Sequence, residues 1–94
     1  IGLALCALSF LFGGSGQGEA MVANRYPFVR AAVYYGGPLE IVKLSRSHNN
    51  ANVLSIGARF VSEAEALKAV ETWLPIAAPD EERHLRRIQK IERG

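Results

Sequence analysis

Gly13-Gly14-Ser15-Gly16-Gln17-Gly18-Glu19 stands between an apolar, strand-like run and Ala20-Met21-Val22-Ala23-Asn24-Arg25, a helix-like one. Residues 13–18 contain four glycines, which let the backbone approach a ligand closely and adopt positive φ. A loop of this kind that opens a helix aims its N–H groups at one spot, suited to an anion or a developing oxyanion. Glu19 falls where loop becomes helix, so its carboxylate is a candidate to act on whatever those amides hold. A flexible loop with an acidic first helical turn accounts for the same residues without any chemistry.

Working outward, Gly2 to Cys6 reads as a continuous apolar strand of the type buried in a parallel sheet. Ala7 to Phe12 fits three readings: a longer strand, a helical turn, or a hydrophobic insertion. Downstream, Glu19 to Arg25 is a short helix ended by Tyr26-Pro27. Val29 to Tyr34 is the next strand, and Gly36-Gly37-Pro38 turns into a helix from Leu39 to about Ser47. That helix is expected to show Ile41, Leu44 or Ser45, and His48 on one side, and to end at Asn49-Asn50. Val53 to Ile56 is a third strand, followed by Gly57-Ala58-Arg59. Ser62-Glu63-Ala64-Glu65 is a capping box that starts a helix with Leu67, Val70, Trp73 and Leu74 toward the core. Pro75 stops it, and Asp80 caps a last helix with a Leu85, Ile88, Ile91 stripe. Strands alternating with helices predict α/β architecture with a parallel sheet. Ligands of such folds bind beyond the carboxyl ends of the strands. Gly13–Glu19 and Gly57–Arg59 both follow strands and so belong to one edge, whereas topology leaves His48–Asn50 unplaced.

The chain has 94 residues, 49% hydrophobic and 21% charged, with a net charge of +2. That describes a single globular domain over 1–94 and gives no general case for nucleic acid. Its last helix is densely charged. One cysteine, Cys6, excludes an internal disulfide and fits a reducing compartment. The uncharged run 1–12 is too short to span a bilayer. It also lacks the basic lead and clear cleavage site of a signal peptide. The chain starts at Ile1 inside this run, as a fragment of a longer α/β protein would.

Several residues are candidates for chemistry. Glu19 is a candidate general base, a role that partial burial would favour. His48 is a candidate to move a proton between oxygens, as imidazole side chains do, although a histidine at a helix C-terminus is also favoured by the helix dipole. Arg59, Arg83 and Arg87 match phosphate oxygens in geometry, while a solvated helix face explains Arg83 and Arg87 equally well. His48, His84 and Cys6 form no metal constellation. The glycine loop lacks the Lys-Ser/Thr ending of a P-loop and the spacing of the dinucleotide fingerprint.

These segments occur together and in order. The glycine loop is followed by Ala23-Asn24-Arg25, Val29-Arg30-Ala31-Ala32, Ser47-His48-Asn49-Asn50-Ala51-Asn52-Val53-Leu54, Gly57-Ala58-Arg59 and Glu82-Arg83-His84-Leu85-Arg86-Arg87-Ile88. Over residues 13–91 the chain resembles the type-B ribose-5-phosphate isomerases and their galactose-6-phosphate isomerase relatives. The resemblance implies a three-layer Rossmann-like fold that lacks the family's N-terminal strands. It implies a cytoplasmic aldose–ketose isomerase of the pentose phosphate pathway, with no metal or organic cofactor and with no nucleic-acid or membrane partner. Glu19 matches the carboxylate base of one branch, while another branch uses a cysteine just before the loop. Ser15, Gly16 and Gly18 match the loop that holds sugar oxygens and the ene-diolate. His48 matches the residue linked to ring opening, and Asn49 its hydroxyl-binding neighbour. Arg59, Arg83 and Arg87 match phosphate-binding arginines. The family builds its sites across a dimer interface, which implies a homodimer or dimer of dimers with shared sites.

Two departures are expected. The family's opening segment, whose first strand ends in an Asp-His pair, is absent. Ala7 to Gly13 looks like an insertion of about seven residues by comparison with the family. It would displace Cys6 from the cysteine position and put Gly13 there. Three alternatives to a pentose-phosphate isomerase stay open: a hexose 6-phosphate substrate such as galactose 6-phosphate, a non-catalytic sugar-phosphate-binding subunit, and an unstable fragment associating through residues 1–12.

Overall fold

The computed structural model describes residues 8–93. The elements are β1 (Ser9–Gly13), α1 (Gln17–Ala23), β2 (Ala31–Tyr34), α2 (Leu39–Ser47), β3 (Val53–Gly57), α3 (Glu63–Trp73) and α4 (Glu82–Arg93). The three strands form one parallel sheet in the order β1-β3-β2. Ser9 to Gly13 pairs in register with Val53 to Gly57, and Ala31 to Tyr34 pairs with Val53 to Ile56. β3 is therefore central, and its run of apolar and small residues is buried throughout.

Alternation along the strands sends successive side chains to opposite faces. Phe10, Ala32, Tyr34, Leu54 and Ile56 join Val42, Ala69 and Trp73 in the main core, between the sheet and helices α2 and α3. Phe10 meets Trp73 edge-on, with ring centroids 5.2 Å apart. The Trp73 indole N–H donates to Ser45 Oγ at 3.2 Å, so the polar atom of this fully buried ring is satisfied. Leu11 and Val53 face the other way, lining a cavity with Val22 of α1. The result is three layers: α1, the sheet, and α2 with α3.

Local chemistry sets most of the boundaries. Ser62 and Glu65 form the reciprocal capping box, with bonds of 3.1 and 2.8 Å. α1 begins at Gln17, two residues earlier than expected, because Gly16 adopts φ 78° and caps it. Asn50 takes φ 49° just past α2, a conformation asparagine tolerates. Phe28 also has positive φ, 66°, and is clamped: its N–H donates to Glu92 and its carbonyl accepts from Asn52 Nδ2. Val29 N–H donates to the Tyr26 carbonyl and Arg30 N–H to Asn52 Oδ1, so β2 starts at Ala31 rather than Val29.

Three expected faces are corrected. In α3, Leu67 and Leu74 are exposed, while Ala69 and Trp73 are buried. Small alanines let the helix approach α2 closely, so the buried stripe is Ala66, Ala69, Val70, Trp73. In α2, Ile41 is exposed, and Val42, Ser45 and Arg46 are buried. Arg46 is accommodated because it donates to Asn50 Oδ1 and the Ala51 carbonyl and lies over Trp73. Burial, then the charge of Arg30, lowers the pKa of its guanidinium. In α4, Leu85 and Ile91 are exposed, and the buried pair is His84 and Ile88, one helical turn apart.

The expected insertion is also corrected for the residues described. Ser9 to Gly13 is a paired strand that runs straight into the glycine loop. The strand placed at Gly2 to Cys6, and Cys6 itself, lie outside the described residues. No helix among the described residues is long and apolar enough to cross a membrane.

Candidate active site

The carboxyl edge of the sheet gathers the loops after β1 and β3. Ala58 N–H donates to the Gly13 carbonyl at 2.8 Å, and Arg59 N–H to the Gly14 carbonyl at 3.0 Å. Ser55 Oγ, buried on β3, donates to the Gly16 carbonyl at 2.7 Å. Gly57 must be glycine for this closeness, since a Cβ there would strike the Ser15 carbonyl. Ser15 Oγ accepts from Gln17 N–H at 3.2 Å, bracing the turn into α1. Among the described residues, the N–H groups of Ser15, Gly16, Gly18 and Glu19 meet no acceptor in the chain. They are available to an oxygen of a ligand.

Glu19 and Arg59 flank this loop. The Glu19 carboxylate occupies the space that a Cβ on residue 13 would need. The Arg59 guanidinium carbon lies 3.4 Å from the point where a Cβ on Gly14 would sit. The adjacent glycines thus admit a carboxylate and a guanidinium to the backbone. Among the described residues, neither charge is in an ion pair. Glu19 is exposed rather than partly buried, because it projects from the open side of a short helix.

The amino edge holds the remaining candidates. His48 is the C-cap of α2, its N–H donating to the Leu44 carbonyl at 2.9 Å. Its ring stacks on His84 of α4, with centroids 4.2 Å apart and planes 20° from parallel. His84 is only 4% exposed, and its Nε2 has no hydrogen-bond partner. Burial lowers the His84 pKa first, followed by the charges of His48, Arg83 and Arg87, with Glu81 opposing. Asn49 is exposed beside His48. Arg83 projects outward and pairs with Glu81 at 3.0 Å, and Arg87 follows one turn later, also exposed. At its far end α4 is tied down by Glu92, which pairs with Arg30.

The structure therefore brings Ser15, Gly16, Gly18, Glu19 and Arg59 together at one edge. It places His48, Asn49, Arg83 and Arg87 at the other. β3 spans five residues, so the edges are separated by roughly 13 Å at about 3.3 Å per residue. Among the described residues, neither of the two main cavities joins them. One, about 710 Å³, includes Asn49, Arg30, Ile91 and Glu92 but none of the glycine loop. A second, about 590 Å³, reaches Gly18 and Glu19 but neither histidine. Among the described residues no group of three His, Cys, Asp or Glu could hold a metal ion.

Residue-by-residue reading of the sequence weighed His84 only as a metal ligand and gave it no place in the site, although its one-turn spacing from Ile88 signalled burial. It also passed over Ser55, a lone hydroxyl in an otherwise apolar central strand.

An open parallel sheet with a glycine loop, a carboxylate and an arginine at its carboxyl edge defines an α/β protein of the class whose ligands lie beyond the strand ends. Residues 4–91 match the family model described as Ribose/Galactose Isomerase, and the chain belongs to that family. It is 39% identical over 82 residues to the ribose-5-phosphate isomerase B of Mycolicibacterium paratuberculosis, covering 87% of this chain and 50% of the relative. The type B ribose 5-phosphate isomerase of Trypanosoma cruzi superposes with TM-score 0.88 at 34% identity, covering 97% of this chain and 59% of the other. The Mycoplasma genitalium ribose-5-phosphate isomerase B, solved with bound ribulose-5-phosphate, gives TM-score 0.83 at 41% identity, covering 92% and 55%. The chain spans about half the length of the curated relatives it matches.

Proposed function

We propose that this chain forms an aldose–ketose isomerase acting on a phosphorylated sugar, ribose 5-phosphate to ribulose 5-phosphate, in the cytoplasm. The observation that carries the reading is the Glu19 carboxylate lying over Gly13, beside loop N–H groups with no acceptor in the chain. A relative that holds ribulose-5-phosphate supports the choice of substrate.

The chemistry follows from that placement. His48 assists opening of the furanose ring by moving a proton between its oxygens. Glu19 removes the proton from C2 of the open aldose, and the electron pair flows to the C1 oxygen to give an ene-diolate. Loop N–H groups stabilise that oxygen, each donor contributing roughly 3–4 kcal/mol to the transition state. The proton then returns from Glu19 to C1 while the C2 hydroxyl proton passes to the C1 oxygen, which leaves a C1 hydroxyl and the C2 carbonyl of the ketose. Ser15 and Asn49 hold hydroxyls. Arg59, Arg83 and Arg87 grip the phosphate, whose binding orients the reacting carbons.

Residues about 13 Å apart on one chain cannot all serve one small sugar. We therefore place each site between two copies: the glycine loop, Glu19 and Arg59 of one meet His48, Asn49, Arg83 and Arg87 of the other. A homodimer, or a dimer of dimers, supplies this geometry. Exposed apolar side chains at Met21, Val22, Tyr26, Phe28 and Ile91 support a covered surface in solution.

The direct test is conversion of ribose 5-phosphate by the chain beside Glu19→Gln. The proposal expects turnover to fall by about 10²-fold or more in the variant, as for loss of a general base. Undiminished turnover in Glu19→Gln would remove Glu19 from the reaction.

A further inference from the structure

His84 is a buried titratable side chain that the proposed chemistry leaves without a task, and unlike buried Arg46 and Tyr34 it has no hydrogen-bond partner for its side chain among the described residues. It is 4% exposed, and its Nε2 is the one buried side-chain nitrogen or oxygen without a partner among the described residues. Burying an imidazole nitrogen without a hydrogen bond is unfavourable, and an apolar side chain would fill the space without that penalty. His84 makes no side-chain hydrogen bond among the described residues, so its contact with His48 is ring against ring. Faces that stack at 4.2 Å and 20° do not point N–H at N, which excludes a proton relay between them.

The neighbours of His84 give the contact a purpose. Arg83 precedes it and Arg87 follows one turn later on α4, a helix whose other tether is Glu92 at the far end. His48 sits at the end of α2, a different element. The stack is a side-chain contact that joins the two.

We infer that His84 is a positioning residue: its ring, stacked on His48, holds that imidazole in orientation and at a fixed span from Arg83 and Arg87. The inference rests on the roles proposed above for those residues. His48, Arg83 and Arg87 then present to the sugar as one rigid unit. The ring-opening group stays in register with the phosphate grip without any hydrogen bond to steer it.

The test compares His84→Ala with His84→Phe, the second keeping a flat ring. In the full chain, the His48 Cε1–H proton resonance is followed by NMR. A stacked ring shifts it upfield; the shift should persist in His84→Phe and vanish in His84→Ala. For turnover, His84→Ala should lower kcat on ribose 5-phosphate about 10- to 100-fold, the scale expected for misplacing a catalytic group by about 1 Å. KM should stay within about twofold, since the phosphate arginines remain. His84→Phe should recover most of kcat, and in a His48→Asn background His84→Ala should add nothing. A His48 resonance indifferent to His84→Ala, or a phenyl variant as impaired as the alanine one, overturns the inference. Full activity in His48→Asn, or no turnover by the parent chain, counts instead against the functional reading, and the NMR comparison still decides the stack.

Discussion

Gly13 and Glu19 act as a complementary pair, because the carboxylate fills the volume a side chain at 13 would take. Gly13 does not have positive φ, so substitution there displaces Glu19 without straining the backbone. Gly13→Ala should therefore lower turnover toward that of Glu19→Gln, by about 10²-fold, with little change in melting temperature. A melting curve beside a rate measurement checks both halves; a fully active Gly13→Ala would show that Glu19 works from another position. The loop and Glu19 were legible in the sequence from glycine spacing, and Gly13 was aligned with the family's cysteine position by resemblance. That Glu19 occupies the vacated volume was not legible, since it depends on how a side chain folds back across one helical turn. His84 illustrates the same limit. It lies inside a recognisable Arg-His-x-Arg-Arg-Ile segment, yet its burial follows from where α4 docks. Burial holds its pKa below the ordinary 6.5, so the unfolded chain takes up the proton first as pH falls. Stability from this group is present above about pH 6.5 and is lost as pH drops toward the folded-state value. Melts at about pH 7.5 and about pH 5.5 should show a smaller acid loss in His84→Phe than in the parent. An equal loss would mean that His84 does not titrate differently in the folded state.

At the scale of elements, the strand–helix alternation and the Ser62–Glu65 capping box could be read directly, because both depend on local spacing. The buried face of α3 could not. Its apolar residues offer two stripes, and hydrophobicity alone favoured the one with Leu67 and Leu74. Close approach to α2 selects the alanine-rich stripe instead, leaving Trp73 as its anchor between Phe10 and Ser45. Trp73→Ala should destabilise the fold by about 3–5 kcal/mol, whereas Leu67→Ala should stay within about 0.5 kcal/mol. Denaturant titration of the two variants decides between the stripes, and the reverse order would refute the assigned face. β1 was obscured for a related reason. The uncharged run from Ile1 to Phe12 is broken only by Gly2 and Ser9, so pairing with β3 is what marks Ser9 as the start of the paired strand.

For the molecule as a whole, the decisive fact is that the candidate site divides between the two edges of one small sheet. Topology alone put Gly13–Glu19 and Gly57–Arg59 together and left His48–Asn50 unplaced, because a turn preceding a strand gains its position only from tertiary packing. The structure sends it to the amino edge, where α4 adds Arg83 and Arg87. Sharing sites between copies was expected by resemblance, and the separation of the candidate residues supports that proposal. The most direct measurement is to mix Glu19→Gln with His48→Asn, each strongly impaired alone, under conditions where subunits exchange. If sites are shared, one of the two sites in each mixed dimer carries both intact residues, and equal mixing should restore about a quarter of the parent turnover. No recovery, with subunit exchange confirmed, would contradict the account and require Glu19 and His48 of one chain to serve the same sugar.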